Sequence, residues 1–223
     1  MLTTHLHGQQ YYRMRADFSI KQILPDGKQS LSMGKVYYDR TFKKVVYDLK
    51  FPEKEVWVIG DSQLVKIANG KVVVKEKVPF SVTSTIFEFA LQNNLGNYGL
   101  EKSVYKVGEV KKDKDQVITT WVPHEKINKL FGNVVVSRKN NQLFGMAIYN
   151  NKNELIQKQL FDGFIKALGV KFPSTITEIT YYKNGNGTTS KGTKITTYKN
   201  LVVNEPNENN IYNYPIPVGV PKK

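Results

Sequence analysis

Strict alternation of apolar and polar side chains near the N-terminus is the feature that most constrains this fold. Between Tyr12 and Lys21, apolar residues occupy every second position and charged or hydroxyl-bearing residues occupy the positions between them. Because successive side chains of a β-strand point to opposite faces, this period of two predicts a strand with one buried face. Turn residues at 25–28 and a second alternating segment at 31–38 extend the prediction to a β-hairpin.

The same strand pattern recurs along most of the chain. Further strands are predicted at residues 43–51, 55–59, 64–67, 71–75, 104–110, 117–122, 133–138, 142–149, 154–161, 175–183 and 194–203. Residues 124–131 fit one or two helical turns, and residues 162–169 fit either a short helix or an irregular crossing. Short strands separated by tight turns such as Asn69–Gly70 indicate an antiparallel meander.

One segment departs from the period of two. Between residues 81 and 95, apolar side chains that include Phe87 and Leu91 recur at the spacing of one helical face. The spacing predicts a helix with Ser84 as its N-cap and Gly96 as its C-terminal stop. Its apolar stripe suits either packing in a core or contact with a ligand.

Length and composition favour a single globular domain over residues 1–223. The chain has 223 residues, 40% of them hydrophobic, which is enough apolar surface for a substantial core. No apolar run approaches the roughly 20 residues of a membrane-spanning helix. From about residue 204 the chain is rich in Asn and Pro, and we expect this tail to run along the surface, since its prolines disfavour a central strand or a helix.

Charge makes nucleic acid or an anionic membrane surface a candidate partner, because the formal net charge is +14. Only four of the 33 basic residues are arginines, the better residue for bidentate recognition of phosphates and bases, and the lysines are scattered along the whole chain. The pattern therefore favours a solvated lysine-rich surface, and we expect no nucleic-acid partner.

The inventory of reactive side chains argues against an enzyme. With no cysteine, the chain has no thiolate nucleophile and no Cys-ligated metal. His5 and His7 lie in a polar N-terminal segment without an adjacent carboxylate, and His124 is best interpreted as a surface residue. Because no phosphate-binding loop or nucleophile motif is present either, we expect no catalytic residue, no metal and no cofactor.

What remains is an antiparallel sheet with one apolar face and few helices to cover it. That face either closes into an ordinary core or forms, with a helix, an apolar cavity for acyl chains. A set of short segments bears on this choice through its order and spacing. The set comprises Gly34–Arg40, Tyr47, Phe51–Pro52, Val58–Leu64, Trp121–Pro123, Leu143–Asn150, Leu155–Phe161, Phe172–Ile176 and Leu201–Asn204.

Together these segments make the chain resemble the bacterial outer-membrane lipoprotein-sorting carriers, the LolA/LolB-like periplasmic proteins. The resemblance departs from the family pattern at Thr41, where the family usually has proline, in the permuted turn at 60–62, and in the longer C-terminus. It implies an α+β fold in which a strongly curved antiparallel sheet forms an incomplete β-barrel with helices covering its concave face. It also implies that Arg40 tethers the lid helix by hydrogen bonding, whereas the residue alone suits a surface strand end equally well.

The leading functional prediction is a non-enzymatic periplasmic carrier or chaperone that binds the acyl chains of a lipoprotein or lipid. The resemblance implies membrane-associated donor and acceptor proteins, a monomer, and a periplasmic location with or without an N-terminal membrane anchor. The alternative is an envelope interaction module with a packed sheet interior, whose basic outer face binds an acidic partner or membrane headgroups. The residues predicted to line the apolar cavity are Phe18, Tyr47, Trp57, Phe87, Phe89 and Leu91.

Overall fold

A computed structural model describes residues 10–60, 62–78, 82–185, 187–206 and 209–218. The sequence features at His5, His7, Asp61 and Ser81 lie outside these residues. The strands are β1 (Arg13–Ile23), β2 (Gln29–Asp39), β3 (Lys44–Phe51), β4 (Glu55–Gly60), β5 (Gln63–Ala68), β6 (Lys71–Lys77), β7 (Tyr105–Asp113), β8 (Gln116–Pro123), β9 (Val134–Lys139), β10 (Gln142–Tyr149), β11 (Leu155–Ala167), β12 (Val170–Lys183) and β13 (Thr189–Val203). The helices are α1 (Ile86–Leu91) and α2 (Asn209–Tyr212), and 3-10 turns cover Val82–Ser84 and Leu100–Lys102.

All thirteen strands form one antiparallel sheet in the order β6-β5-β4-β3-β2-β1-β13-β12-β11-β10-β9-β8-β7. The order consists of two meanders, β1–β6 and β7–β13, joined where the first strand pairs with the last. In this central pair Met14 lies opposite Val203, and Phe18 lies opposite Tyr198. The edge strands β6 and β7 end the order on opposite sides, so the sheet is open. The predicted class, an antiparallel sheet forming an incomplete barrel, is confirmed.

One face of the sheet is buried from β3 to β8, and this burial requires the sheet to curve. Leu49 of β3 and Trp121 of β8 both belong to a single buried apolar cluster. A six-residue helix such as α1 is only about 9 Å long, whereas the nine strands from β3 to β8 would span about 38 Å if the sheet were flat. Because α1 is too short to cover a flat face of that width, the strands themselves wrap around it. We call this side the concave face.

The helix on the concave face is shorter than the sequence predicts. It covers Ile86–Leu91, and its N-cap is Thr85, not Ser84, because the Thr85 hydroxyl accepts a hydrogen bond from the Glu88 amide. The chain then turns at Asn93, which has a left-handed conformation with φ of 53°. The apolar residues after this point still reach the core, but from turns.

Two other segments resolve alternatives that the sequence left open. Residues 162–167 continue β11, which then turns through Leu168 and Gly169 into a longer β12. Residues 124–131 form hydrogen-bonded turns and no α-helix. The first segment lengthens β11, and the second connects β8 to β9.

The C-terminal segment differs from the predicted surface tail. Residues 209–212 form α2 ahead of the prolines, and Tyr212 is fully buried. It packs edge-on against Tyr37, with ring centroids 5.3 Å apart, and under the Arg13 guanidinium. Together Tyr212 and the sheet form a second apolar cluster on the opposite, convex face. The members of this convex cluster are Tyr37, Val46, Val58, Val65, Ile67 and Tyr212.

Candidate functional site

Helix α1 is held on the concave face by one aromatic side chain. Phe87 stacks between Tyr38 of β2 and Phe172 of β12, with ring centroids 5.8 and 5.5 Å away. It also meets Tyr198 of β13 edge-on at 5.9 Å. Since these strands flank the central pair, Phe87 anchors the helix over the middle of the sheet.

A buried carboxylate on α1 makes the second attachment. Glu88 is only 5% exposed, yet it has three polar partners. The Tyr38 hydroxyl and the Gln92 amide both donate to its carboxylate, and the Arg40 guanidinium lies 3.1 Å from Oε1. Burial and the neighbouring Glu88 raise the pKa of Tyr38, so its hydroxyl remains a donor at neutral pH. These contacts provide the hydrogen-bond partners that the Glu88 carboxylate needs once it is removed from water.

Sequence reasoning singled out Arg40 but not its partner. Arg40 follows β2, and its contact with Glu88 places it against α1, where the predicted tether would act. The signal for Glu88 was its position inside an apolar run, one turn before Gln92 on the same helical face. Whether the pair opens and closes a lid stays a prediction.

The six predicted cavity residues all belong to one region of the concave face. Phe18, Phe87 and Leu91 are each 4% exposed and lie within its buried cluster. Tyr47, Trp57 and Phe89 are partly buried and pack against the same cluster. The structure therefore brings the six together, and their role in lining a cavity stays a prediction.

The partly buried residues extend the apolar surface away from α1. Tyr47 meets Phe18 edge-on at 5.1 Å, and Trp57 follows at 6.4 Å from Tyr47. At the outer end of this aromatic row, the Lys66 ammonium lies 4.6 Å from the Trp57 ring, and the indole nitrogen donates to Glu55 across 2.7 Å. The row therefore runs from the core to a charged margin.

Polar residues occupy a second part of the concave face, at the opposite end of β11–β13 from Phe172. The buried Gln159 amide donates to Glu178 across 3.1 Å, and the Lys194 ammonium lies 2.7 Å from the same carboxylate. In the sheet register Gln159 lies opposite Glu178, and Glu178 lies opposite Lys194, so all three side chains share one face. We call Gln159, Glu178 and Lys194 the polar end of the concave face.

Burial affects the hydroxyls of three tyrosines on this face, Tyr47, Tyr98 and Tyr198. Burial raises the pKa of Tyr47 to about 12, and the Tyr198 hydroxyl acts on this pKa in the opposite direction. Burial and then the charge of Glu178 raise the pKa of Tyr98 to about 12, which places Tyr98 within electrostatic reach of the polar end. Tyr98 also contacts Phe89 at 5.2 Å. These tyrosines remain neutral at physiological pH.

Two buried donors on this face have no acceptor among the residues that the structure describes. They are the indole nitrogen of Trp121 and Nε of Arg138. Buried donors normally find a partner, so each marks a place where a hydrogen-bond acceptor would be stabilised. The described residues contain no group of three side chains suited to hold a metal ion.

A surface pocket of about 560 Å³ lies away from the aromatic row. It is lined mainly by polar residues and backbone around Asn128, Gly132 and Asn150, and it is open to solvent. None of the six predicted cavity residues lines it, and its polar lining does not suit an acyl chain. In the part of the chain that the structure describes, no helix is long and apolar enough to cross a membrane.

Solved structures provide the comparison with known proteins. A LolA superfamily protein from Nitrosomonas europaea aligns with a TM-score of 0.57 and 11% identity over 91% of both chains. A domain from Vibrio parahaemolyticus that is described as a putative outer membrane lipoprotein-sorting protein domain aligns with a TM-score of 0.60 and 13% identity over 90% of this chain and 89% of its own. A DUF1329 family protein from Desulfovibrio piger aligns with a TM-score of 0.52 and 12% identity over 92% of this chain and 91% of its own.

These likenesses show that the curved, open antiparallel sheet described above is a fold shared with known proteins. The chain shares the fold of a LolA superfamily protein, and this is the fold that the resemblance of its sequence segments implies. No protein-family model matches the chain, and no curated protein matches it in sequence. At 11–13% identity the likeness concerns the fold alone.

Proposed function

We propose that this protein is a non-enzymatic carrier of the bacterial envelope that shelters acyl chains of a lipoprotein or lipid on its concave face. The observation that carries the proposal is the arrangement around α1. The helix rests on Phe87, while Phe89 of the same helix and Tyr47 and Trp57 of the aromatic row stay only partly buried. An acyl chain that covers these three side chains would complete the burial that α1 begins.

The energetics favour such binding. Each buried methylene contributes about 0.8 kcal/mol, so about ten would contribute roughly 8 kcal/mol before the costs of association.

Release of cargo would depend on α1. The helix spans only Ile86–Leu91, and its polar attachment is the contact of Glu88 with Arg40 and Tyr38. A short helix with few attachments can shift without disturbing the sheet, and such shifts gate many binding sites. The proposed carrier acts as a monomer in the periplasm, where it would receive cargo from one membrane-associated protein and deliver it to another.

Fluorescence quenching tests the proposal directly, because the chain has two tryptophans and only Trp57 lies in the aromatic row. In a Trp121→Phe background, fatty acids brominated along the acyl chain should quench Trp57 emission in a saturable manner. Non-brominated fatty acid should compete, and the Trp57→Phe protein, which keeps Trp121, should show much weaker quenching. A folded protein with no saturable quenching, and with no lipid found by native mass spectrometry, would overturn the proposal.

Aspartate substitutions at Phe87 or Leu91 are unsuitable for this test. Both side chains are buried in the core, so a charge there would disrupt folding whether or not lipid binds. Tyr47→Ala and Trp57→Ala, at partly buried positions, are better probes of affinity.

The alternative function, an interaction module with a packed interior, is favoured by one observation. The cluster beneath α1 is densely buried, and its members on the central strands leave little exposed surface. Such a module would bind acidic partners through its lysines, and its binding would weaken steeply between low and physiological salt. Binding of acyl chains should respond little to salt, so titrations at two ionic strengths distinguish the two functions.

A further inference from the structure

The concave face changes character along its strands, and this gradient bears on which cargo it suits. Near Phe172 and Phe87 the face is mainly aromatic and lies under α1. Farther along the same strands come Ile176 and Thr196, and then Glu178 and Lys194. A ligand whose acyl chain lies on the aromatic row and whose other end reaches Glu178 and Lys194 would contact both an apolar and a charged surface, which suits an amphipathic molecule.

The charged group at the polar end is held in place from one side. Glu178 accepts a hydrogen bond from Gln159, a residue that is only 9% exposed. This contact fixes the carboxylate on the concave face. Its other partner, Lys194, is much more exposed. An ion pair of this kind contributes little to stability, so its two charges can separate to take other partners at small cost.

The two opposite charges at the polar end limit the kinds of lipid headgroup that could bind there. A carboxylate and an ammonium 2.7 Å apart form a neutral pair, so the site has no net attraction for a purely anionic group. A molecule that carries both a phosphate and an ammonium offers each charge an opposite partner, with charge-assisted hydrogen bonds on both sides. The effect of Glu178 on the pKa of Tyr98 supports the placement of this pair next to the aromatic residues around Phe89.

We propose that the cargo is an amphipathic lipid with a zwitterionic phosphate–ammonium headgroup, whose ammonium binds Glu178 and whose phosphate binds Lys194. This inference rests on the proposed function, since the acyl chain has to occupy the aromatic row while the headgroup occupies the polar end. Gln159 acts as a positioning residue for the Glu178 carboxylate.

Short-chain lipids test the inference in solution. The probes are dihexanoyl phosphatidylethanolamine, dihexanoyl phosphatidylglycerol and dihexanoylglycerol, below their aggregation concentrations, with Kd measured by calorimetry. We expect the ethanolamine lipid to bind about tenfold more tightly than either of the others, the effect of one additional hydrogen-bonded charge. Glu178→Gln and Lys194→Gln should each remove this preference while leaving the Kd for dihexanoylglycerol unchanged.

The chain offers a matched control. Glu154 and Lys183 form another exposed ion pair, 2.6 Å apart, near the strand ends. Glu154→Gln and Lys183→Gln should leave the preference intact. Thermal unfolding by circular dichroism verifies that all four variants fold.

The possible outcomes separate the two proposals. If all three lipids bind with equal affinity, or if the Glu154 variant loses the preference as the Glu178 variant does, the headgroup inference is wrong and the carrier function stands. If free O-phosphoethanolamine binds as tightly as the lipid, the site recognises a soluble phosphate compound and the inference is also overturned. If no lipid binds to the folded protein, the carrier function itself fails.

Discussion

Arg40, at the end of the second strand, lies 3.1 Å from the buried carboxylate of Glu88 on the helix that crosses the concave face. The pair connects the sheet to α1 at the point where the helix is attached by one aromatic ring and one charged group. Loss of either attachment therefore has a distinct consequence for the helix.

Removal of the Arg40 charge should loosen α1. Arg40→Met leaves Glu88 with only Tyr38 and Gln92 as partners, and we expect a loss of about 1–3 kcal/mol in the free energy of unfolding. Hydrogen exchange in residues 86–92 should accelerate, and Arg40→Lys should restore part of the protection. If exchange in this segment is unchanged in the Met variant, Arg40 is not a tether.

Phe87, the aromatic attachment of α1, should contribute more to stability than Phe89 on the same helix. Phe87→Ala removes a buried ring between Tyr38 and Phe172, and we expect a loss of about 3–5 kcal/mol measured by urea unfolding. Phe89→Ala, at a partly buried position on the same helix, should cost clearly less. Equal losses for the two variants would contradict the anchoring role of Phe87.

The C-terminal helix should stabilise the first meander. Tyr212 is buried against Tyr37 and Arg13, so Tyr212→Ala should lower the free energy of unfolding by about 3 kcal/mol or more. Glu205→Gln should have a smaller effect, because it weakens only the ion pair of this segment with Arg15, a partly exposed contact. A chain ending at residue 204 that is as stable as the full chain would refute this account.

Alkaline pH should destabilise the protein through its buried tyrosines. Burial raises the pKa values of Tyr47 and Tyr98 to about 12, whereas tyrosine in the unfolded chain titrates near 10. Between these values the native state holds more protons than the unfolded state, so the free energy of unfolding is unaffected below pH 10 and falls as pH rises toward 12. Tyr47→Phe should reduce this slope in urea titrations, and Tyr182→Phe, at an exposed position, should not.

A glycine in β2 should tolerate no side chain. A Cβ at Gly34 would lie 2.0 Å from the backbone oxygen of Asp48 on the neighbouring strand. Gly34→Ala should therefore force β2 and β3 apart and lower the midpoint of urea unfolding, with a cost of about 3 kcal/mol or more. At Gly60 the nearest atoms to a Cβ are 3.5 Å or more away, so Gly60→Ala should have little effect.

The strand pattern was predictable because it depends on local alternation. From Tyr12 to Lys21 and in most later segments, one face is buried and the period of two is visible in the sequence.

The end of α1 was not predictable, because the apolar residues beyond Asn93 enter the core from turns and keep a helix-like spacing. Burial of Tyr212 was also hidden, since it depends on a convex cluster assembled from four strands and on the distant Arg13.

The candidate site was predictable by residue type but not by contact. Alternation placed Phe18 and Tyr47 on the buried face, and helical spacing placed Phe87 with them. The partners of Arg40 and of Lys194 lie on elements far away in the sequence or on a neighbouring strand, and only the register of the sheet shows which charges meet. Interactions of this kind leave no local signal.

Pairing of β1 with β13 has a consequence for synthesis on the ribosome. Met14 emerges long before Val203, so the middle of the sheet is completed only after the eleven strands between β1 and β13 have been made. Until then the first meander exposes β1 as an unpaired edge along its apolar side, a form prone to association with other chains. Closure of a loop of this length is slow compared with hairpin formation. We therefore expect the nascent sheet to be most prone to association before β13 pairs with β1.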